Sequence, residues 1–288
     1  MIAFLLGCAT GQETTRGAWQ GADGGYLSVE PSRLVWFDPE HNDLSVSTIL
    51  RRDQDLVTRH RGRLERIRLV ANGDALTATI GDKQTAYHRI ASLPPAMSLT
   101  PLPLPAPMPI APEIANAIAA AIEKRNAADQ QLLKAKAPSD QIRSTQDAND
   151  AWLRETAMRY GWIDAARFGG KAAGASIVMA KHSTDTRLLM AALPLIERDL
   201  ANDRQFAQTF AIAFDQLLLS LGQRQRYGSQ VCAESGQHPF LCAVEMPSRL
   251  DQRRIAIGLQ PLREYLDLVS KMLYKNQPVR VPDDNELQ

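Results

Sequence analysis

The sequence predicts an α+β protein in two parts: a small N-terminal antiparallel β-sheet or barrel and, past a proline-rich linker, a mainly helical domain with a short β-hairpin. Three observations carry that prediction. Short β-rich runs broken by turn residues fill the stretch from Gly17 to Ile90. Eight prolines crowd the nineteen residues from Pro94 to Pro112, which hold no charge. Beyond them apolar residues recur at helical spacing. The parts are expected at residues 1–16 (signal remnant and tether), 17–92 (β domain), 93–112 (linker), 113–275 (helical domain) and 276–288 (polar tail).

Composition bounds what such a protein does. With 288 residues, 44% hydrophobic and 23% charged, the chain is that of a folded globular protein large enough for one or two cores. Its 33 basic and 32 acidic side chains nearly cancel, which argues against a nucleic-acid partner, because polyanion binders need a basic excess to displace counterions. Neutrality holds within each part: residues 1–92 carry 11 basic and 11 acidic groups, the linker none, and the rest 22 and 21. No run of eighteen apolar residues is present, so no spanning helix is expected.

At the start, Leu5-Leu6-Gly7-Cys8 places an apolar pair and a small residue before a cysteine, and a polar stretch follows. It resembles a bacterial lipobox. The resemblance implies that Cys8 carries a lipid, that the membrane is a partner through it, and that the protein sits in the cell envelope, anchored to the outer membrane and facing the periplasm. A working signal has a basic n-region and an apolar segment of about 7 to 15 residues, whereas only Met1 to Leu6, uncharged, precede this motif. The reading frame is therefore expected to begin upstream of Met1. A free cysteine at an apolar terminus is the alternative.

Seven strands are read in order: Tyr26 to Val29, Arg33 to Phe37, Val46 to Leu50, Leu56 to Arg61, Leu64 to Ala71, Ala75 to Ile80 and Thr85 to Ile90. Asn72-Gly73-Asp74 and Gly81-Asp82 have hairpin-turn chemistry. In Arg66-Ile67-Arg68-Leu69 the arginines are expected to face water and the aliphatics the core. The opening Gly17-Ala18-Trp19-Gln20-Gly21, with the strand rhythm after it, is similar to the start of small lipocalin-like barrels in bacterial envelope proteins. Arg59, Arg61 and Arg63 would share one strand face, either as a solvated surface or as a contact for anionic envelope polymer or lipid headgroups.

The linker, in polyproline geometry, would span up to about 60 Å at ~3.1 Å per residue. Its leucines and methionine are unusual for free chain and would place part of it on a domain surface. Pro112 then suits the first position of a helix whose apolar stripe is Ile114, Ile118, Ala121 and Ile122, with Leu132 and Leu133 later. Ser139 is expected to cap a second helix that runs through Trp152, Leu153 and Met158 to Gly161. Helices follow over Lys171 to Lys181, Leu188 to Leu200, Gln205 to Leu221 (with Phe206, Phe210 and Phe214 four apart), Leu250 to Ile257 and Pro261 to Leu273. Between them Cys232 and Cys242 flank a turn-rich segment and would clip a hairpin if the chain is exported, a disulfide worth about 2.5 to 3 kcal/mol by loop entropy. In a reducing compartment they would be two buried thiols.

Five motifs in the helical part occur in order: Gly161-Trp162; Lys181-His182; Asp215; Gln225-Arg226-Tyr227-Gly228-Ser229-Gln230; and Arg253-Arg254-Ile255-Ala256-Ile257-Gly258-Leu259-Gln260-Pro261-Leu262-Arg263-Glu264-Tyr265. Over about Asn126 to Tyr265 this resembles an uncharacterised bacterial domain family with Gly-Trp-Pro, Gln-His, Asp-Arg, Gln-x-Tyr-Gly-Thr-Gln and Arg-Arg-x-x-x-Gly-Leu-x-Pro-Leu-x-x-Tyr patterns. Ile163, Lys181, Gln216 and Ser229 depart from it. The resemblance implies no activity.

Asp215, with apolar helical neighbours, is expected to be buried and to need a partner, for which Arg226, Arg253, Arg254 and the Tyr227 hydroxyl are the candidates. It would then either anchor the segment Gln225 to Gln230 or join His182, Tyr227, Gln230 and Arg254 in one ligand pocket. His182 and Asp185 have i, i+3 spacing, but a third ligand is missing and no metal is expected. No Gly-x-Ser-x-Gly elbow or phosphate loop occurs, and no cofactor is expected. Two readings of function remain. One is a lipid-anchored envelope protein that binds a ligand, a protein or an envelope polymer through its helical domain. The other is an envelope hydrolase using His182 and Asp215 in acid–base chemistry.

Overall fold

The computed structural model describes residues 14–52, 55–60, 63–183, 185–200, 204–232 and 238–282. The chain divides into two compact units, one holding the strands up to Ser98 together with Ser220–Gly222 and one holding Leu99–Leu219 and the chain from Gln223 onward. Cys8 and the tether lie outside the described residues.

The first unit is a closed barrel of eight antiparallel strands: β1 (Gly17–Gly21), β2 (Tyr26–Val29), β3 (Arg33–Asp38), β4 (Asp43–Arg52), β5 (Leu56–His60), β6 (Arg63–Asn72), β7 (Ala75–Ile80) and β8 (Lys83–Ile90). Seven were read from the sequence. The eighth, β1, is flanked by glycines that hide its strand character, and it makes the closure by pairing with β8 from Ala18↔Ile90 to Gly21↔Tyr87. Closure leaves the sheet without an edge. Gly73 (φ +58°) and Gly81 (φ +57°) turn the chain between β6, β7 and β8, a backbone region that side chains with a Cβ rarely adopt.

Alternating positions point inward and fill the barrel. Trp19, Leu27, Leu34 and Ile67 are completely buried there, so its interior is a packed core. The expected alternation holds at Arg66, Ile67 and Arg68, which read exposed, buried, exposed. Arg68 bonds Asp55 (Nε to Oδ1, 2.7 Å). The shared face proposed for Arg59, Arg61 and Arg63 falls on Arg61 and on the Arg63 side chain, which lie outside what is described. One arginine joins the two ends of the barrel sequence: Arg89 lies 4.1 Å over the Trp19 ring and donates to the carbonyls of Arg16 (2.9 Å) and Thr14 (2.8 Å).

The second unit is helical: α1 (Pro112–Lys134), α2 (Ser139–Tyr160), α3 (Ala165–Phe168), α4 (Gly170–His182), α5 (Thr186–Asp199), α6 (Ala207–Ser220), α7 (Leu250–Ala256) and α8 (Leu262–Leu273). A two-stranded hairpin, β9 (Val231–Cys232) with β10 (Phe240–Leu241), precedes α7. Ile122, Leu153, Ile163, Leu188 and Phe210 are fully buried at its centre. The middle helix, α4, is built from small residues: Ala172, Ala173, Gly174 and Ala175 are buried in succession. Gly174 admits the Phe206 ring, since a Cβ there would lie 2.2 Å from it. No described helix is long and apolar enough to cross a membrane.

Several local expectations shift. Pro138, not Ser139, occupies the cap position of α2, because the proline's fixed φ already orients the chain for helix entry. Phe206 precedes α6 rather than lying on it. In the stripe expected on α1, Ile118 and Ile122 are buried, but Ile114 is 41% exposed. The linker does not use its reach: Leu102, Leu104 and Ile110 pack against the helical core, and Arg167 donates to the Met108 carbonyl (3.3 Å). The apolar side chains between its prolines explain this, because burying them offsets the loss of chain freedom. Cys232 and Cys242 form the expected disulfide, buried beside Leu219.

Candidate functional site

Three places in the helical unit gather the chemistry. The first is the turn after α6. Asp215, fully buried, accepts from the backbone N–H of Arg226 (2.7 Å) and Tyr227 (3.0 Å) at Oδ1 and of Ser229 (2.8 Å) at Oδ2. The expected side-chain partners go elsewhere. Arg254 donates to the carbonyls of Tyr227 (2.6 Å) and Gln260 (2.8 Å), Arg253 to those of Arg226 (2.8 Å) and Glu245, and the Tyr227 hydroxyl to Glu197 (3.0 Å). The segment is thus held by a carboxylate on its amides and two guanidiniums on its carbonyls, which is charge against oriented peptide dipole.

The two glutamines close the same segment. Gln230 N–H donates to Gln225 Oε1 (2.8 Å), while Gln225 Nε2 donates to the carbonyls of Gln230 (3.1 Å) and Cys242 (2.7 Å), which ties the clipped hairpin in. Gly228 sits at φ +64°, and a Cβ there would come within 3.1 Å of Leu250 and Leu262. Tyr265 donates to the Ser229 carbonyl (2.7 Å), and Arg254 lies 4.8 Å over the Tyr265 ring. Burial pushes the Asp215 carboxyl up, and the amides of Ser229, Tyr227 and Arg226 pull against it. Burial and the Glu197 charge push Tyr227 up to about 12. Asp215 and Arg254 therefore bond the backbone of the segment that carries Tyr227 and Gln230, whose own side chains bond Glu197 and Ser229, and all four are buried.

His182 is not among them. It ends α4, and its Nδ1 lies 2.7 Å from Oδ2 of Asp129 on α1. Gln146 Nε2 (3.2 Å) and Gln130 Nε2 (3.1 Å) donate to the same carboxylate. Burial alone would raise the Asp129 carboxyl, but the bond and charge of His182, with the two glutamines, hold it below its ordinary value. Burial lowers the neighbouring Lys181 ammonium. A crevice too narrow to admit a water molecule, lined also by Asn149 and Asp150, borders the pair. A carboxylate on Nδ1 fixes an imidazole's orientation and tautomer, which is what a general base needs. Asp185, its expected helical neighbour, instead caps α5 through Arg187 N–H (3.0 Å) and pairs with Arg154 (3.1 Å). Among the described residues no group of three ligands is placed to hold a metal.

The third place is an open groove of about 460 Å³ between the start of α1 and the end of α2. Ile114, Ala117, Ile118 and Ala121 form one side; Trp152, Thr156 and Tyr160 form the other. Glu113, Glu155 and Arg159 line it as well. Arg159 lies 5.2 Å over the Tyr160 ring and Arg125 5.0 Å over Trp152. Its size and apolar, aromatic walls fall within the range of binding pockets.

Sequence reasoning missed Asp129 and the groove. The signal for Asp129 is that it continues the buried row Ala115, Ile118, Ile122, a carboxylate on an apolar helix face. For the groove it is a second apolar row, Ile114, Ala117 and Ala121, beside the buried one on the same helix.

Residues 112–275 match the model of a family described as a family of unknown function (DUF6624), in line with the resemblance to an uncharacterised domain family. No curated protein and no solved structure matches the chain.

Proposed function

The chain belongs to that family, which brings no activity with it, and from its own chemistry we propose that it is a lipid-anchored cell-envelope protein that binds a ligand or protein partner through the groove between α1 and α2. The groove carries the reading: it is open, large enough for recognition at about 460 Å³, and walled by two aromatic side chains that gain from being covered. Export is supported by the Cys232–Cys242 disulfide, which suits an oxidising compartment, and by the lipobox-like Leu5-Leu6-Gly7-Cys8. The anchor is tested by Cys8→Ser, which should move the protein from the membrane to the soluble fraction; retention in the membrane sinks it. The groove is tested by a photo-crosslinking residue in place of Ile114 in intact cells. A discrete adduct that Ala117→Arg abolishes is expected, and no adduct at normal protein levels refutes the reading.

A second reading is favoured by the His182–Asp129 bond. In the acid–base alternative first placed on His182 and Asp215, Asp129 takes the role of the orienting carboxylate, since Asp215 is engaged by three amides. Purified protein hydrolysing p-nitrophenyl acetate no faster than its His182→Asn variant would remove this alternative.

A further inference from the structure

We propose that the occupant of the α1/α2 groove is an amphipathic α-helix of a partner protein that carries Lys or Arg beside its apolar stripe; the inference rests on the groove being the binding surface.

The groove's walls are two helices, so their backbone N–H and C=O groups are spent within each helix. An extended peptide, which binds by adding main-chain hydrogen bonds to a sheet edge, has nothing to pair with there. A guest must bring a backbone that is already satisfied, and a helix does. The spacing agrees. Ile114, Ala117, Ile118 and Ala121 fall at i, i+3, i+4 and i+7 on α1, and Trp152, Thr156 and Tyr160 fall at i, i+4 and i+8 on α2. These rows run along the helix axes for about 10 Å and are the ridges between which a third helix packs. Ala117 and Ala121, with only methyl groups, allow its axis to come close.

Charge selects the kind of helix. Neither Glu113 nor Glu155 has an ion-pair partner among the described residues, and Arg159, four positions after Glu155, lies over Tyr160 instead of pairing with it. Glu113, in the first turn of α1, is favoured there by the helix dipole. That account does not extend to Glu155, near the C-terminal end of α2, where the dipole favours cations. Two carboxylates, unpaired among the described residues, therefore line the groove against the single Arg159 guanidinium, a net negative lining, and basic side chains on the guest complement it, setting its orientation and speeding its approach.

The test uses the full chain and fluorescently labelled sixteen-residue model helices with a leucine stripe flanked by Lys, the same helices with Glu, and a scrambled Lys control, read by anisotropy. The Lys helix should bind best, and Ala117→Arg, at an exposed position, should weaken it roughly tenfold or more. Glu113→Lys with Glu155→Lys should reverse the preference between Lys and Glu helices, at an unchanged melting temperature. Equal binding of Lys and Glu helices, or binding untouched by Ala117→Arg, overturns the proposal. If an adduct at position 114 is still lost with Ala117→Arg while no model helix binds, the groove reading stands and the helical occupant is wrong. If neither signal appears, both fall.

Discussion

Ser229 N–H donates to Asp215 Oδ2 at 2.8 Å, and through this bond and its two companions a buried carboxylate on α6 holds the turn that carries Gln225, Tyr227 and Gln230. The bond makes Asp215 a keystone of the fold. Asp215→Asn keeps one acceptor but turns an NH₂ toward backbone donors, and should cost about 2 to 4 kcal/mol. Urea unfolding measures it; a midpoint within error of the parent's would refute the role.

The His182–Asp129 pair makes stability depend on acid. The Asp129 carboxyl titrates below its ordinary 3.8 in the fold, so near and just below that value the unfolded chain binds the proton more readily. Its contribution is present above about pH 4 and is lost as pH falls through the lowered folded value. Asp129→Asn should flatten this part of the stability curve, measured by urea unfolding from neutral pH down to about pH 3. An unchanged slope would contradict the assignment.

Gly174 is needed for packing, not for backbone freedom. With Phe206 ring carbon 2.2 Å from a Cβ at that position, Gly174→Ala should destabilise by about 1 to 3 kcal/mol through overpacking. Adding Phe206→Leu should recover part of that loss, because it removes the ring that clashes. An additive double mutant would show that the clash lies elsewhere.

The Cys232–Cys242 link spans ten residues, and replacing both cysteines by Ala should lower unfolding free energy by about 2.5 to 3 kcal/mol. Thiol counting on denatured exported protein checks its presence directly. Reactive thiols at both positions in unreduced protein would exclude the bond.

The strands β2 to β8, the linker and the helices other than the four-residue α3 were legible because each depends on residues close in sequence: period-two alternation, Asn-Gly-Asp turns, proline density and apolar spacing. So was the disulfide, whose two ends flank one turn. β1 was not, because its pairing with β8 across most of the barrel sequence, rather than its own composition, makes it a strand. That Asp215 would be buried could be read from its apolar helical neighbours; that its partners would be backbone amides could not, since every residue but proline offers one and only the path of the chain selects which. His182 and Asp129, 53 residues apart, meet because α4 packs small residues against α1. The groove exists because Ile114, Ala117 and Trp152 face a space that no other described helix fills. By itself the sequence determined which segments become strand, linker or helix and which polar groups need partners; the tertiary structure decided the partners and the opening, because those depend on contacts between elements that no local pattern encodes.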